Sequence, residues 1–237
     1  MVWDERLRLA ASLYEPCTLG ADIGTDHAYL PWLLLKEGIC ERMLLCDVSP
    51  KSIGQAAATV RKHHLEDRTE LILADGLYAL PESGCGCVSV MGMGGETMAE
   101  ILRSGKDRLK GAVLVLSCHT EQPLVRRAVR DIGYRLTREE LCRAGGRYYI
   151  VWRAEPGGWE PSKEELLYGG LLYETPSPLM KGYCGWRVRV LSARLKGLRA
   201  VEERELPAIR EASAELAFYQ AQLDRMEKED AISPADL

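Results

Sequence analysis

Between Thr18 and Trp152 short apolar runs alternate with longer amphipathic stretches, and this rhythm restricts the fold more than any other feature of the chain. Candidate strands are Leu19–Ile23, Met43–Val48, Thr69–Leu73, Val88–Met91, Ala112–Ser117, Tyr134–Cys142 and Arg147–Arg153. Helical stretches fall between them at about 28–37, 50–64, 95–103 and 121–131. Strand, helix, strand in repetition predicts an α/β fold, because a parallel neighbour is reached only through a crossover that covers the sheet. The last two apolar runs are separated only by Arg143-Ala144-Gly145-Gly146. They should therefore form an antiparallel hairpin at one sheet edge.

With 237 residues, 46% of them hydrophobic and 28% charged, the chain has the make-up of a soluble globular protein. Collagen-like, mucin-like and wholly disordered classes are excluded. The longest apolar stretches, Tyr29 to Leu35 and Ala112 to Leu116, fall far short of the ~18 residues that cross a bilayer. The amino end, Met1-Val2-Trp3-Asp4-Glu5-Arg6, has no basic region followed by an apolar one. A cytoplasmic protein without a membrane partner is expected. The eight cysteines, at 17, 40, 46, 85, 87, 118, 142 and 184, are scattered among Val, Leu and Gly. They read as reduced thiols of a cytosolic enzyme. Cys85-Gly86-Cys87 has no second pair at zinc-ligand spacing, so no metal is expected. His63-His64 reads as a solvated helix end.

Glu155-Pro156-Gly157-Gly158-Trp159-Glu160-Pro161-Ser162 is the expected domain boundary, giving domains at 1–155 and 162–230. Ser162 can cap a helix starting at Lys163-Glu164-Glu165, and Thr175-Pro176-Ser177-Pro178 is a second break. Beyond it Cys184, Val188, Leu191, Leu195 and Leu198 form one apolar stripe. Ile209, Ala212, Leu216, Tyr219, Leu223 and Met226 form another. Pro207 tolerates the first turn of a helix but not its interior, so two coiled-coil-like helices should pack antiparallel. The tail after Glu229 should fray.

The net charge of −4 hides a local asymmetry. Residues 1–154 balance 20 Lys and Arg against 20 Asp and Glu, yet Thr175 to Val201 contains no acid at all. That stretch carries Lys181, Arg187, Arg189, Arg194, Lys196 and Arg199. A second basic region runs from Arg103 through Arg126, Arg127 and Arg130 to Arg147. Local basic patches bind phosphate backbones whatever the total charge; a solvated helix face is the plain alternative.

The first strand delivers Ala21-Asp22-Ile23-Gly24-Thr25-Asp26-His27-Ala28-Tyr29-Leu30-Pro31. A strand ending in Asp-x-Gly before a helix puts a turn at the carboxyl edge of the sheet, where α/β folds bind ligands. Asp26 stands where a dinucleotide fingerprint has its second glycine. An Asp there repels a pyrophosphate but suits S-adenosylmethionine, which has no phosphate and carries ammonium and sulfonium charges. Asp47, 23 residues after Gly24, ends the second strand, where an acid can accept ribose hydroxyls. Asp75, in Ala74-Asp75-Gly76, can accept from an adenine amino group. Met91-Gly92-Met93-Gly94-Gly95 after the fourth strand lets a ligand approach the backbone closely.

An open sheet that ends in a hairpin resembles the Rossmann-like class I methyltransferases. The run Asp22-Ile23-Gly24-Thr25-Asp26-His27-Ala28-Tyr29-Leu30-Pro31, then Gly92-Met93-Gly94-Gly95, then a helical extension, closely resembles the bacterial tRNA (adenine-22-N1)-methyltransferase family. The similarity spans essentially the whole chain, strongest over residues 18–100. It implies a catalytic domain and a coiled-coil-like domain, S-adenosylmethionine as methyl donor and tRNA as partner; separately, a monomer is expected. Cofactor contacts are then expected from Asp22, Gly24, Thr25, His27, Asp47, Val48, Asp75, Gly76, Met93, Gly94 and Gly95. Asp26 and Tyr29 are the catalytic candidates, and Arg187, Arg194, Lys196, Arg126 and Arg127 the tRNA contacts. Ser117-Cys118-His119-Thr120 departs from the Pro- and Gln-rich turn expected of the family on the base side of the pocket. Two other activities fit the same motifs: a methyltransferase for a small molecule, and a non-catalytic cofactor-binding RNA module. The acid-free helix disfavours the first, and intact Asp26 and Tyr29 the second.

Overall fold

The computed structural model describes residues 4–174, 177–199 and 206–231. In chain order its first unit runs α1 (Glu5–Ser12), β1 (Cys17–Ile23), α2 (Tyr29–Lys36), β2 (Cys40–Asp47), α3 (Pro50–Lys62) and β3 (Thr69–Leu73). It continues with β4 (Cys87–Met93), α4 (Gly95–Ser104), β5 (Val113–Cys118), α5 (Gln122–Asp131), β6 (Tyr134–Ala144), β7 (Arg147–Pro156) and α6 (Lys163–Tyr168). The seven strands form one sheet in the order β3-β2-β1-β4-β5-β7-β6. The first five pair in parallel; β7 runs antiparallel to both β5 and β6. Every strand and helix expected between Thr18 and Trp152 is present, including the edge hairpin. Its turn is Gly145-Gly146, and both glycines have positive φ, 54° and 78°, which only a residue without Cβ adopts cheaply.

Local chemistry explains the element starts. Ser49 accepts from the Ser52 amide and Pro50 opens α3, so the missing proline N–H costs nothing there. Asp4 caps α1 by accepting from the Arg6 amide at 2.9 Å. Helix α1 was not anticipated from the sequence, since it is only eight residues long and buries just Ala10 and Ala11. His63 ends α3 as its C-cap with His64 exposed beyond it, and its half-buried ring stacks on Trp32, 4.3 Å between centroids.

The core joins Leu34 and Leu35 of α2 to Met43 and Leu45 of β2 and Val115 of β5, all essentially out of solvent. At about 25 cal/mol per Å² of apolar surface, each such side chain contributes roughly 1.5–3 kcal/mol before the entropy of ordering it. All eight cysteines are free thiols, and seven are buried. Burial raises the Cys85, Cys142 and Cys184 thiols to about 11, so they stay protonated and act as small apolar fillers. Among the described residues no cluster of His, Cys, Asp or Glu could hold a metal ion. No described helix is long and apolar enough to cross a membrane.

The chain divides into two compact units, Met1–Leu172 and Tyr173–Leu237. The division falls later than the 155–162 boundary read from Pro and Gly, and Glu139 on β6 shows why. Its Oε1 accepts from Arg126 Nη2 at 2.6 Å and Trp152 Nε1 at 2.8 Å. Its Oε2 accepts from the Gly170 and Leu172 amides at 3.1 and 3.2 Å. One buried carboxylate thus ties α5, β7 and the segment after α6 into the first unit. Arg126 is corrected at the same time: its side chain is 1% exposed and paired inward, so it presents nothing to a tRNA phosphate.

The second unit contains α7 (Pro178–Arg199) and α8 (Leu206–Ala231), which pack on each other. Tyr183 meets Tyr219, and further along α7 Arg187 meets Glu215, earlier on α8. Positions rise on one helix as they fall on the other, so the pair is antiparallel. The stripe residues Cys184, Leu191, Leu195, Ala212, Tyr219 and Met226 are buried, and Pro207 sits in the first turn of α8 as expected. Arg187 is a second correction. Its guanidinium is spent on Glu215 and lies 5.0 Å from the Tyr219 ring centre, while Arg194 and Lys196 stay exposed. The break at Thr175-Pro176, the link at 200–205, the Arg199 side chain and the tail from 232 lie outside the described residues.

Removing Glu139 leaves Arg126 buried and uncompensated, a change that typically costs about 3–5 kcal/mol. Glu139→Ala should lower stability by that order in urea unfolding. A loss under 1 kcal/mol would show that the carboxylate does not hold this end of the unit.

Candidate functional site

The site begins at the turn after β1. The Gly24 and Thr25 amides both donate to the Cys46 carbonyl on β2, at 2.8 and 2.9 Å. Gly24 has φ +78°, and a Cβ there would lie 2.7 Å from the Met93 methyl, so glycine is required on two counts. Two residues further, Ala28 takes a left-handed conformation, φ 53°, and α2 starts immediately after it. Tyr29 is therefore the first helical residue and not one turn inside, as the sequence suggested. It stands at the mouth of the turn beside Asp26 and His27.

Asp22, the last acid of β1, is buried. The Ser89 hydroxyl on β4 donates to its Oδ1 at 2.5 Å. Burial pushes its carboxyl up to about 6 against the pull of the Ser89 and Thr25 hydroxyls, and the nearby Asp47 charge adds to the rise. Burial and then the charges of Asp47, Asp22 and Asp75 raise the Cys46 thiol to about 11, so that one sulfur senses all three strand-end acids. The three acids end neighbouring strands, but only Asp22 lines the cavity described next. Asp47 Oδ1 accepts from the Ser49 amide at 2.7 Å, and Asp75 is exposed.

A cavity of about 530 Å³ opens beside this turn. It is lined by Asp22, Gly24, Asp26, His27, Ala28 and Tyr29 from the turn, Met91 and Gly92 from β4, and His119 after β5. Leu30 and Trp32 of α2 complete it, with Asp4, Arg6 and Leu7 around the start of α1. His27 stacks on Tyr29 with 5.3 Å between centroids, and its Nε2 lies 3.4 Å from Asp26 Oδ2. The wall is thus aromatic and carboxylate together. Such a surface suits a flat base that acquires positive charge.

The structure brings Asp22, Gly24, Asp26, His27 and Tyr29 to one cavity. Thr25, Asp47, Val48, Asp75, Gly76, Met93, Gly94 and Gly95 do not line it. Asp47 and Asp75 sit at the ends of β2 and β3, on the other side of β1 from β4. Gly92 and Gly95, expected to act together, do different work. Gly92 is the extra residue of a bulge between β4 and β5, with φ +79° and open space where a Cβ would go. Gly95 faces the Thr120 carbonyl, only 2.4 Å from a would-be Cβ, so it serves helix packing. Arg6, His119 and Trp32 are wall residues that motif reasoning did not assign. The His119 position was signalled only by its departure from the family's turn.

Asp22 is held near 6 in the fold against about 3.9 in an unfolded chain. The folded state binds that proton more tightly, so stability should fall as pH rises from about 4 to 6 and level off above. Asp22→Asn should remove this slope and be more stable than wild type above pH 6 by up to about 3 kcal/mol, since each pKa unit is worth about 1.4 kcal/mol. Urea unfolding at pH 4–7.5 measures it; parallel slopes in both proteins would contradict the buried acid.

A family model described as a methyltransferase domain matches residues 3–152. The tRNA (adenine(22)-N(1))-methyltransferase of Bacillus subtilis strain 168 is 29% identical over 170 residues, 71% of each chain. A crystal structure from Streptococcus pneumoniae, described as a candidate tRNA (m1A22) methyltransferase, superposes with a TM-score of 0.84 at 25% identity. It covers 94% of this chain and 100% of its own. That protein's complex with S-adenosyl-L-methionine gives a TM-score of 0.82 at 24% identity, covering 94% and 100%. The turn after β1 thus lies in the matched region, at the strand end where this fold binds ligands, and the chain belongs to the methyltransferase-domain family.

Proposed function

We propose that this chain transfers a methyl group from S-adenosylmethionine to N1 of the adenine at position 22 of tRNA, as a monomer in the cytoplasm. The observation that carries this reading is the cavity wall, where Asp26, His27 and Tyr29 stand together with the strand-end acid Asp22. The likeness to the Bacillus subtilis tRNA enzyme points the same way.

The residues present fit the cofactor. Asp47 has one oxygen engaged by the Ser49 amide and the other left for ribose hydroxyls. Val48 and Leu73 are 69% and 58% exposed beside it, large apolar side chains that offer a platform for the adenine moiety next to Asp75. Asp22 is placed to hold the ammonium, with Gly24 and Thr25 giving the backbone turn around it. When bound, the cofactor supplies an electrophilic methyl group. Gly76, next to Asp75, is buried, and Met93, Gly94 and Gly95, at the end of β4 and the start of α4, complete the proposed cofactor contacts.

The chain's own chemistry is alignment and charge stabilisation. Adenine N1 carries a lone pair in the neutral base, so no strong general base is needed. N1 lies on the Watson–Crick edge, so the base must be unpaired before it enters the cavity. Tyr29 and the stacked His27 ring hold it flat, and the Asp26 carboxylate favours the positive charge that develops on it. The helical unit is assigned to tRNA. Arg194 and Lys196 stand exposed on the acid-free helix α7, and Arg127 is half-buried on α5. Arg126 and Arg187, already paired, are not part of that set.

Bulk bacterial tRNA incubated with the protein and S-adenosylmethionine should yield 1-methyladenosine on nucleoside chromatography. Free adenosine should not be methylated, and tRNA without 1-methyladenosine would overturn the assignment. Asp47→Ala should weaken cofactor binding by about 1.5–3 kcal/mol in calorimetry, the worth of a charged hydrogen bond; unchanged affinity would remove Asp47 from the site. Asp26→Asn and Tyr29→Phe should keep cofactor affinity and lose at least about tenfold in single-turnover rate, one such factor being about 1.4 kcal/mol of transition-state stabilisation. A wild-type rate in Asp26→Asn would refute the electrostatic role.

A further inference from the structure

Among the described residues that line the cavity there is one permanent cation, and it comes from the helix that the strand–helix pattern did not reveal. Arg6 of α1 lines the same cavity as Asp4, Asp22 and Asp26. Its guanidinium lies over the Tyr149 ring of β7, 5.0 Å from the centroid. His119 meets the same ring edge-on at 6.1 Å. Arg6 is thereby fixed by stacking, not by a close carboxylate: its contact with Asp4 is 3.5 Å, too long for a strong charged hydrogen bond. Its Nε is buried and has no hydrogen-bond partner. A rigid, half-satisfied guanidinium facing a cavity is a poor device for stability, because an unmet buried donor costs free energy. It is a good device for an anion that arrives with a ligand.

We propose that Arg6 binds a backbone phosphate of the nucleotide that enters the cavity. The proposal rests on the tRNA reading above and adds to it the group that makes the cavity acceptable to a nucleotide. Three aspartates line the space, and a phosphate brought among them would be repelled without a cation. The sheet order sets the adenosine end of the cofactor apart from Arg6. The acids Asp47 and Asp75 assigned to the cofactor lie at the ends of β2 and β3, beyond β1, whereas Tyr149 and His119 belong to β7 and the end of β5. Arg6 is on the second of these sides. A planar guanidinium there meets two phosphate oxygens at once while its face stays on Tyr149.

Arg6→Gln and Arg6→Lys would be compared with wild type in methyl transfer to bulk tRNA, in cofactor calorimetry and in thermal unfolding. Arg6→Gln should raise KM for tRNA at least about tenfold and reduce the log–log salt slope of tRNA binding by ~0.7–0.9, the share of one phosphate. Cofactor affinity should change less than about twofold, and Arg6→Lys should recover only part of the loss, because it keeps the charge but gives up the bidentate fork and the stacking on Tyr149. Three results overturn the proposal: an unchanged KM and salt slope, a selective loss of cofactor affinity, which would place the cofactor's carboxylate on Arg6, or a lowered melting temperature in Arg6→Gln with no recovery of tRNA binding in Arg6→Lys. If wild type transfers no methyl group to tRNA, the tRNA reading itself fails, and that arm is read first.

Discussion

Everything at the site hangs on how β1 is held between its two neighbours. On one side the Gly24 and Thr25 amides close onto the Cys46 carbonyl of β2; on the other the Ser89 hydroxyl of β4 closes onto Asp22. The first pair is backbone to backbone and fixes where the chain leaves the sheet. The second buries a carboxyl that gains little from burial by itself, which is why its protonation is pushed up. Together they leave Asp26, His27 and Tyr29 no choice but to project past the sheet edge into one cavity. The strand order makes that edge useful. β1 and β4 diverge in connection direction at this point, and a crevice opens where such a reversal occurs.

A second buried carboxylate does the opposite work. Glu139 is fully satisfied, by Arg126, by the Trp152 indole and by two main-chain amides. Arg126 also lies over the Trp152 ring, 5.2 Å from its centre. A buried ion pair of this kind, in which Arg126 Nη1 is left without a partner, specifies geometry more than it adds stability. Here it fixes the exit from the sheet, from β6 and β7 through α6 to Leu172. Asp22 is the contrasting case: a carboxyl held by one hydroxyl at the rim of a cavity keeps capacity for a cation. The difference between the two acids is the difference between a structural and a ligand-facing charge.

The sheet was legible in the sequence because its apolar runs have the length and spacing of buried parallel strands, and Gly145-Gly146 could only be a tight turn. The turn motif was legible for the same reason: Asp22, Gly24 and Asp26 are each demanded by backbone or charge at one place. What the sequence hid was pairing at long range. Arg126 and Arg187 look like surface cations, yet their partners, Glu139 and Glu215, are 13 and 28 residues away and no local pattern links them. The same holds for Arg6, whose stacking partner Tyr149 lies at the other end of the sheet-forming region. The late unit boundary escaped because Pro and Gly report only where regular structure stops. They do not report whether the segment beyond still donates two amides to a buried acid.

The central claim is that this cavity presents a target adenine's N1 to a methyl donor. A methyl group on N1 blocks Watson–Crick pairing, so reverse transcription reports the modified position directly. A tRNA transcript with adenine at position 22, and its twin with guanine there, would be incubated with the protein and S-adenosylmethionine and then copied by primer extension. The account requires an arrest at position 22 in the adenine transcript alone, dependent on the cofactor. Read-through of both transcripts, or an arrest at another adenine shared by both, would contradict it.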